Sequence, residues 1–388
     1  MRITNCIKLS AITKTLAIAL ISMIVGCSSE EDGSPSQDEL VASQLQSIIT
    51  DKVGGDFEKL IGVSVSIRIN GVERWNLVGG LSKANEPVAP EMKFGVGSIT
   101  KTAIAATILK LEEEGALNID DPISKYINFN SPGVDASITI FQLLAHFTGI
   151  QDYFRHPDIW PTVEGNLDAA VSTDQLVGFI GDPINVPGVT HQYSNSNYLL
   201  LALIIEEVTQ QTVGEVMRDR FWTPLELNNI FFGANDNSIE PLAGAWRDSS
   251  GDGVLEDISD EYRDAYNSVF YGPAGMFASS SDLSMWAEHL YGGNAITAES
   301  RIKMMKSYFN IPDATFIGYG LGTRKNVYAG RTMWGHTGGV RGYGAHMFYE
   351  PLSKVSIAML NNQSRSEEGP TLRHELVEEL LTAVFNSL

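Results

Sequence analysis

The stretch KFGVGSITKT, residues 93–102, contains a serine and a lysine whose spacing suits nucleophilic catalysis. A phosphate-binding loop, G-x-x-x-x-G-K-[ST], is excluded because Thr100 stands where that loop needs glycine, and residues 90–93 lack the apolar pattern of a preceding strand. Ser98 and Lys101 share one face of a helix that begins here. Burial beside a helix N-terminus favours a neutral lysine, which can act as a base for the serine. Taken alone, the spacing is weak evidence, because it is more typical of a helix-capping serine followed by a surface lysine.

Two further stretches carry polar groups suited to the same chemistry. Tyr193 and Asn195 precede a strongly apolar helix, so a phenol and an amide can face one cleft. The alternative is that Asn195 or Ser196 caps this helix while Tyr193 packs. In WGHTGGVRGYG, glycines follow His336 and Thr337, so another backbone can approach this strand and pair with it. Taken alone, a histidine such as His336 is more typical of a structural role.

The ordered set S-x-x-K, Y-x-N and H-T-G resembles the motifs of the penicillin-recognising serine hydrolases. These include class C β-lactamases, D-alanyl-D-alanine carboxypeptidases and related esterases. The resemblance runs from about residue 55 to 365 and includes the stretches EEEGALNIDDPISKYI, ITIFQLLAHFTGI, PAGMFASSSDLSMWAEHL and GYGLG. It implies an α/β fold of the β-lactamase/DD-peptidase type, in which an antiparallel sheet built from both chain ends is flanked by helices and carries a largely helical insert. It also implies catalysis without a cofactor or metal.

The same resemblance implies roles for the first two motifs. Ser98 resembles the nucleophile that forms an acyl-enzyme, and its backbone N–H resembles one donor of an oxyanion hole. Lys101 resembles the base. Tyr193 would relay a proton to the leaving group and later activate water, while Asn195 would hold the substrate amide.

The third motif resembles a substrate-binding strand, formed by His336, Thr337 and Gly338. The N–H of Gly339 would be the second oxyanion donor. His336 replaces the lysine of the K-T-G found in many relatives, which resembles the carboxypeptidase and esterase branches. Gly339 stands where some peptidases have a second hydroxyl, and Arg341 offers a compensating charge for a substrate carboxylate. Because free histidine titrates near pH ~6.5, we expect His336 to be charged in mild acid and to bind that carboxylate there.

These residues predict a serine hydrolase that cleaves amide or peptide bonds of a small-molecule or peptide substrate, as a D-alanyl-D-alanine carboxypeptidase or β-lactamase does. A carboxylesterase of the same family is the first alternative. The second is a protein that binds penicillin or cell-wall peptides without turnover. Intact motifs favour turnover over such a binding protein.

The N-terminus predicts export and anchoring. Residues 1–27 have a basic start and a short apolar run, typical of a signal peptide, and they end in Ile-Val-Gly-Cys. This ending resembles a bacterial lipoprotein box, so Cys27 is the expected lipidation site, with a plain signal peptide as the alternative. The acidic stretch 28–38 is typical of a flexible tether. The expected location is the bacterial envelope, facing the periplasm, and the absence of aspartate after Cys27 favours the outer membrane.

Composition narrows the remaining classes of function. The formal net charge is −20 and residues 1–27 contribute +3, so the rest of the chain carries about −23 and would repel nucleic acid. Cys6 and Cys27 are the only cysteines, so the exported chain has no disulfide and no cysteine metal site. The stretch from Asp248 to Asp260 resembles a calcium loop but has Ser259 at its twelfth position, so it predicts an acidic surface loop.

The elements that must position these residues follow from periodicity. Residues 39–388 are expected to form one hydrolase domain, with an α/β part at about 39–115 and 300–388 and a helical part at about 116–299. A first helix is predicted from Glu39 to Lys52, a hairpin turns at Asn70-Gly71, and a buried helix runs from Ser98 to Glu114 and ends at Gly115. Short strands RTMWGHTGGV, GAHMFYEP and KVSIAMLNN precede a last helix over Thr371 to Leu388.

Overall fold

The computed structural model describes residues 35–54, 59–128, 133–233, 239–261, 264–310, 316–364 and 371–388. Its α-helices are, in chain order, α1 (Gln37–Lys52), α2 (Thr100–Glu113), α3 (Ile140–Leu144), α4 (Ile159–Gly165), α5 (Thr173–Gly178), α6 (Asn195–Thr209), α7 (Val213–Met217), α8 (Asp264–Val269), α9 (Ser280–Tyr291), α10 (Ala298–Met305) and α11 (Thr371–Ser387). Its strands are β1 (Gly62–Ile69), β2 (Val72–Gly80), β3 (Phe94–Gly95), β4 (Ile230–Phe232), β5 (Trp246–Arg247), β6 (Glu256–Asp257), β7 (Met276–Ala278), β8 (Phe309–Asn310), β9 (Phe316–Tyr319), β10 (Arg324–Tyr328), β11 (Arg331–Val340), β12 (Tyr343–Glu350), β13 (Val355–Asn361) and β14 (Gln363–Ser364).

Both ends of the chain build one eight-stranded sheet, as the sequence predicts. Its order is β2-β1-β13-β12-β11-β10-β9-β8, and the N-terminal strand β1 pairs antiparallel with the C-terminal strand β13 from Val63↔Asn361 to Ile69↔Val355. The hairpin between β1 and β2 turns at Asn70 and Gly71, whose φ angles of 51° and 84° match the type I′ turn that Asn-Gly favours. The sheet joins segments almost 300 residues apart, so it fixes strand β11, which contains the H-T-G motif, relative to the rest of the molecule.

Each face of this sheet is covered by helices, and β1 shows how its sequence suits both. Val63, Val65 and Ile67 are fully buried in the apolar cluster that contains α1 and α11. The alternating serines Ser64 and Ser66 face α9 and form side-chain hydrogen bonds of 2.8 and 2.7 Å with its serines. The alternation in GVSVSIRI therefore does not mark a solvent-exposed face, because the hydroxyls of one helix satisfy those of the strand.

The helix that begins at the S-x-x-K motif is the buried centre of the second apolar cluster. A 3-10 turn at Gly97–Ile99 leads directly into α2, and Gly115, with φ of +73°, lies just past its end. The predicted span from Ser98 to Glu114 is thus confirmed, except that its first turn is the tighter 3-10 form. Between the two parts of the sheet the chain is mainly helical, with the short strands β4 to β7 added.

The N-terminal predictions fall largely outside the described residues. Residues 1–34 are not described, so the signal peptide, Cys27 and most of the proposed tether stay predictions. At residue 36 the chain enters the fold through a capping box, in which the Ser36 side chain accepts a hydrogen bond from the Glu39 N–H and the Glu39 carboxylate accepts one from the Ser36 N–H. Among the described residues, no helix has the length and hydropathy needed to cross a bilayer.

Candidate active site

A close contact between two glycine-containing segments positions Ser98. Gly97 has φ of +53°, and a Cβ built on it would lie 2.6 Å from the backbone nitrogen of Gly339. A Cβ on Gly338 would lie 1.9 Å from the carbonyl oxygen of Val96 and 3.2 Å from the backbone nitrogen of Ser98. Only glycine fits at these two positions, so the segment that carries the serine packs directly on strand β11. The two N–H groups predicted to form an oxyanion hole, from Ser98 and Gly339, lie on either side of this contact.

Lys101 is fully buried and its amine has three polar neighbours. Nζ lies 3.0 Å from Ser98 Oγ, 2.8 Å from Asn195 Oδ1 and 3.0 Å from the carbonyl oxygen of Pro273. Two of these, an amide oxygen and a backbone carbonyl, can only accept hydrogen bonds. A neutral amine therefore donates its two N–H groups to them, which directs its lone pair at Ser98 Oγ. The site holds the lysine in the orientation that a base for the serine needs.

The environment of Lys101 favours this neutral form. Burial lowers the pKa of Lys101 to about 7 from its ordinary 10.5, and the negative charge of Asp152 only partly opposes the shift. A pKa near neutrality suits a general base, because the free amine is then populated at physiological pH. The alternative of a surface lysine after a capping serine is wrong, since this side chain has no exposed area.

Asn195 connects Lys101 to a carboxylate that the sequence reasoning missed. Its Oδ1 accepts from Lys101, while its Nδ2 donates to Asp152 Oδ2 over 2.8 Å. Because a carboxylate accepts only, this second bond fixes which end of the amide faces the lysine. Asp152 also accepts from the Phe154 N–H, which anchors it at the start of a 3-10 turn. The predicted role of Asn195 in holding a substrate amide stays a prediction; its visible role is to orient Lys101.

Tyr193 stands over the same pair of residues. Its ring centroid is 4.8 Å from Lys101 Nζ. Although the residue is 36% exposed, burial of its phenol in the surrounding protein raises its pKa above the ordinary 10.0, and the influence of the Ser98 side chain offsets this only in part. Tyr193 is therefore protonated at neutral pH and can donate a proton, whereas Lys101 is the group that can accept one.

Strand β11 offers an open edge beside these groups. Strand β10 pairs with it only as far as Arg324↔Gly335, and among the described residues no strand continues that side. The carbonyl of Gly335 points to this side, because it accepts from Thr323 Oγ1 over 3.1 Å. By the alternation of a strand, the backbone groups of Thr337 and Gly339 point the same way. The H-T-G strand thus presents its backbone where an extended substrate can pair with it.

His336 lies beneath this edge, and the expectation that it titrates in mild acid is wrong. The residue is 3% exposed, with Nδ1 2.5 Å from the Thr337 carbonyl oxygen and Nε2 3.2 Å from Tyr319 Oη. Burial lowers the pKa of His336 well below its usual 6.5, and the positive charges of Arg324 and Lys101 act in the same direction. The ring is neutral at neutral and mildly acid pH, because its surroundings can satisfy a neutral imidazole but do not stabilise a second buried cation.

Two arginines flank the H-T-G strand. Arg324, which the sequence reasoning did not select, donates from Nη1 to Thr337 Oγ1 and stacks on the Phe316 ring at 4.0 Å. Arg341, which it did select, lies beyond the strand end, with Nη1 3.4 Å from Glu164 Oε1 and the guanidinium 4.9 Å above the Tyr266 ring. The cation in direct contact with the motif is therefore Arg324.

Comparison with known proteins agrees with this geometry. The Beta-lactamase family profile matches residues 49–382, most of the chain. The chain belongs to the beta-lactamase family. This family assignment covers the sheet, the helical insert and all three motifs, and it confirms the fold that the sequence resemblance implies.

Individual relatives of this beta-lactamase-family protein are distant. Protein flp of Staphylococcus aureus strain MRSA252 is 27% identical over 335 residues, which are 84% of this chain and 63% of that protein, so the chain spans less than two thirds of that relative. A D-stereospecific amidohydrolase from a Streptomyces species superposes with a TM-score of 0.72 at 26% identity, over 83% of this chain and 94% of its own. The D-amino acid amidase of Ochrobactrum anthropi SV3 gives 0.77 at 21% identity, over 90% and 99%, and shares the fold.

The calcium-like stretch forms a turn that its own backbone satisfies. The carboxylate of Asp248 accepts from the N–H groups of Gly251 and Gly253, at 2.6 and 3.1 Å. Among the described residues, no three His, Cys, Asp or Glu side chains are grouped as metal ligands. Most of residues 249–260 are exposed, as expected for a surface loop.

Proposed function

We propose that this protein hydrolyses amide or peptide bonds through an acyl-enzyme on Ser98. The observation that carries the proposal is the Lys101 amine, whose two N–H groups have fixed acceptors and whose remaining valence faces Ser98 Oγ. As Oγ bonds to the substrate carbonyl carbon, its proton passes to Lys101. The carbon–nitrogen bond then breaks, the leaving amine takes a proton from the Tyr193 hydroxyl, and Lys101 returns one to Tyr193. Water next attacks the ester, gives up a proton along the same path, and Ser98 leaves protonated.

Within this class we favour a carboxypeptidase-like substrate that ends in a free carboxylate, such as a D-Ala-D-Ala peptide. Arg324 supports this choice, because a permanent cation bound to Thr337 lies at the open edge of β11. Arginine binds carboxylates through charge-assisted, often bidentate hydrogen bonds. The amide-cleaving activities in the names of two structural neighbours agree with an amide substrate.

A carboxylesterase is the second candidate, and the neutral, buried His336 favours it. In place of the lysine of K-T-G, this position supplies no charge to a substrate.

The deacylation rate distinguishes both enzymes from a protein that is acylated without turnover. The test is intact-protein mass spectrometry after incubation with a penicillin, a D-Ala-D-Ala peptide and an activated ester. Rapid gain and loss of the peptide adduct supports the peptidase, an adduct from the ester alone supports the esterase, and a stable adduct supports the binding protein.

Replacing Arg324 with glutamine is expected to discriminate between peptide and ester. For a carboxylate-ended peptide, kcat/KM should fall by roughly 10- to 100-fold, because a hydrogen bond to a charged group contributes about 1.5–3 kcal/mol. For a neutral ester it should change by less than about 3-fold, since no charge is paired. Steady-state kinetics on both substrates from pH 5 to 9 measures the ratio, which should not follow a histidine titration.

Arg341→Gln is the matched control for this prediction. Its guanidinium is engaged with Glu164 and Tyr266, so its loss should change both substrates alike. A selective loss of kcat/KM for the peptide in Arg341→Gln, with none in Arg324→Gln, would mean that Arg341 binds the substrate carboxylate. Equal losses for both substrates in Arg324→Gln would remove the support for the carboxypeptidase and favour the esterase.

We also propose that the protein is anchored to the envelope through lipid on Cys27. The support is the Ile-Val-Gly-Cys sequence at the end of the apolar N-terminal run. Cys27→Ala is expected to release the protein from the membrane fraction, because the acceptor of the lipid is lost. Fractionation together with the mass of the N-terminal peptide measures this. A wild-type protein that is soluble and carries no lipid mass contradicts the anchor.

A further inference from the structure

Tyr193 is the one group of the proposed machinery that lies on a segment without regular structure, and a single buried residue holds that segment on both sides. The Gln192 N–H donates to the carbonyl oxygen of His146 over 2.8 Å, and the Ser194 N–H donates to His146 Nδ1 over 3.2 Å. The His146 ring also packs on the Tyr193 ring, with centroids 4.4 Å apart. The backbone before Tyr193, the backbone after it and its ring therefore all contact one side chain or its carbonyl.

The conformation of His146 is one that its surroundings must impose. Its φ is +60°, in the left-handed region that few non-glycine residues adopt, and the residue is fully buried. Such backbone strain persists only where several contacts determine it together. The left-handed turn directs the carbonyl and the ring of this one residue to the two sides of Tyr193.

The hydrogen bonds around His146 also determine where its proton lies. Asn197 Nδ2 donates to His146 Nδ1 over 2.9 Å, because Asn197 Oδ1 already accepts from Thr148 Oγ1. With the Ser194 N–H, two donors point at Nδ1, so the proton of the neutral ring lies on Nε2. That atom is 3.3 Å from Tyr319 Oη, which can accept it.

The direction of bonding continues to the H-T-G strand. His336 Nδ1 is next to the Thr337 carbonyl, which accepts only, so the proton of His336 lies on Nδ1 and its Nε2 is an acceptor. The Tyr319 hydroxyl, 3.2 Å away, donates to it. His146, Tyr319 and His336 thus form a chain in which every donor has one acceptor. Burial lowers the pKa of both histidines well below 6.5, which keeps them neutral and the direction fixed.

We propose that His146 is a positioning residue for Tyr193, and that Tyr319 and His336 act through it by fixing its tautomer and tying it to β11. The chain couples the loop that carries the proton donor to the strand that binds substrate. For its kinetic test this inference rests on the proposed acyl-enzyme function. Its consequence is chemical: a misplaced Tyr193 should affect leaving groups that need a proton far more than those that do not.

The first test compares an amide with an activated ester, since an amine must be protonated to leave and a nitrophenolate leaves without a proton. In His146→Ala, kcat/KM for the amide should fall by about 10²-fold, the range of a general acid, and that for the ester by less than about 10-fold. Tyr193→Phe should show the same pattern. His146→Asn should recover at least about 10-fold on the amide, because asparagine tolerates a left-handed φ and its Oδ1 can accept from the Ser194 N–H.

His191→Ala is the matched control. This ring lies two residues from Tyr193, stacks on Phe309 at 4.1 Å and packs on the His146 and Tyr319 rings at 6.0 and 5.5 Å, but it takes part in neither backbone hydrogen bond to His146. The amide-to-ester ratio should equal that of wild type. If Tyr193→Phe loses activity selectively on the amide, then equal losses on both substrates in His146→Ala, or no recovery in His146→Asn, would overturn the positioning role. If Tyr193→Phe itself affects amide and ester alike, the proposed function is contradicted, and with it the role of His146.

A second measurement is independent of activity. Nitrogen-15 labelling of the seven histidines allows NMR to assign the protonated nitrogen of each ring. We expect His146 protonated on Nε2 and His336 on Nδ1, both neutral at pH 6, and both perturbed in Tyr319→Phe. The same tautomer in both rings, or an unchanged spectrum in Tyr319→Phe, would contradict the hydrogen-bonded chain from His146 through Tyr319 to His336, even if the enzyme is active.

Discussion

Ser98→Ala is expected to abolish covalent labelling by penicillins and esters and to lower turnover by at least about 10⁴-fold, as loss of a nucleophile does in serine hydrolases. No other serine of the described site lies against the Lys101 amine, which bonds only to Ser98, Asn195 and the Pro273 carbonyl. Intact-protein mass spectrometry measures the labelling directly. The variant should keep its fold, because it removes one half-buried hydroxyl and leaves the apolar core untouched.

Ser194→Ala is the matched control for this result. Its hydroxyl is buried next to Tyr193 and, among the residues that the structure describes, has no hydrogen-bond partner. Its removal should leave labelling intact and cost no stability. Labelling that persists in Ser98→Ala would place the nucleophile elsewhere, and the proposed function would fail.

Lys101→Met is expected to slow acylation by about 10²- to 10⁴-fold without destabilising the protein. Methionine fills a similar volume but cannot accept the proton of Ser98. Burial of Lys101 destabilises the fold by about 5 kcal/mol at pH 7 or below, relative to pH above 10.5, which is the free energy equivalent of a pKa near 7 instead of 10.5. In Lys101→Met, Asn195 Oδ1 and the Pro273 carbonyl lose their donor, at a cost of about 1–3 kcal/mol each. This cost is similar to, or smaller than, the free energy recovered by removing the buried lysine, so the variant should be as stable as wild type or more stable.

The dependence of this stability difference on pH has a definite sign. Between pH of about 7 and 10.5 the unfolded chain binds a proton on Lys101 that the folded protein does not. This group therefore makes wild type more stable as pH rises through that window, so any advantage of Lys101→Met should shrink from pH 7 towards pH 10. Denaturant unfolding at several pH values measures it. A variant that is unfolded at pH 7, or acylated at the wild-type rate, contradicts the assignment of Lys101 as the buried base.

Activity should depend on pH through the same group. Below pH of about 7 the amine is protonated and has no lone pair for Ser98, so the acylation rate should fall on the acid side. Asp152→Asn keeps an acceptor for Asn195 Nδ2 but removes the charge that stabilises the ammonium, so the acid limb should move to lower pH. An unchanged limb in this variant would mean that another group controls it.

Local sequence determined several secondary-structure elements and the local geometry of two motifs, S-x-x-K and H-T-G. Asn70-Gly71 specifies a two-residue hairpin because both residues tolerate positive φ, and the strand RTMWGHTGGV spans the ten residues of β11. Ser98 and Lys101 meet because three residues of helix separate them, a distance that the helix itself sets. Such features depend on neighbours in the chain, so they can be read without the fold.

The charge states were decided by tertiary structure. His336 was expected to titrate because its sequence context gives no burial, yet Tyr319 and the Thr337 carbonyl enclose it as a neutral ring. Asp152 and Arg324 belong to none of the three motifs S-x-x-K, Y-x-N and H-T-G. The sequence signals that could have found them are slight: each lies two residues after a stretch that resembles the family, HFTGI for Asp152 and GYGLG for Arg324.

Residues that are far apart in the chain carry the rest of the site. His146, Tyr319 and His336 are separated by up to 190 residues and meet only because the sheet brings β9 and β11 against the turn after α3. Pairing between distant segments depends on the packing of the whole core, and a pKa depends on the surface that this packing buries. The sequence thus determined which residues can do chemistry, and the tertiary structure decided their protonation, their partners and which cation contacts the H-T-G strand.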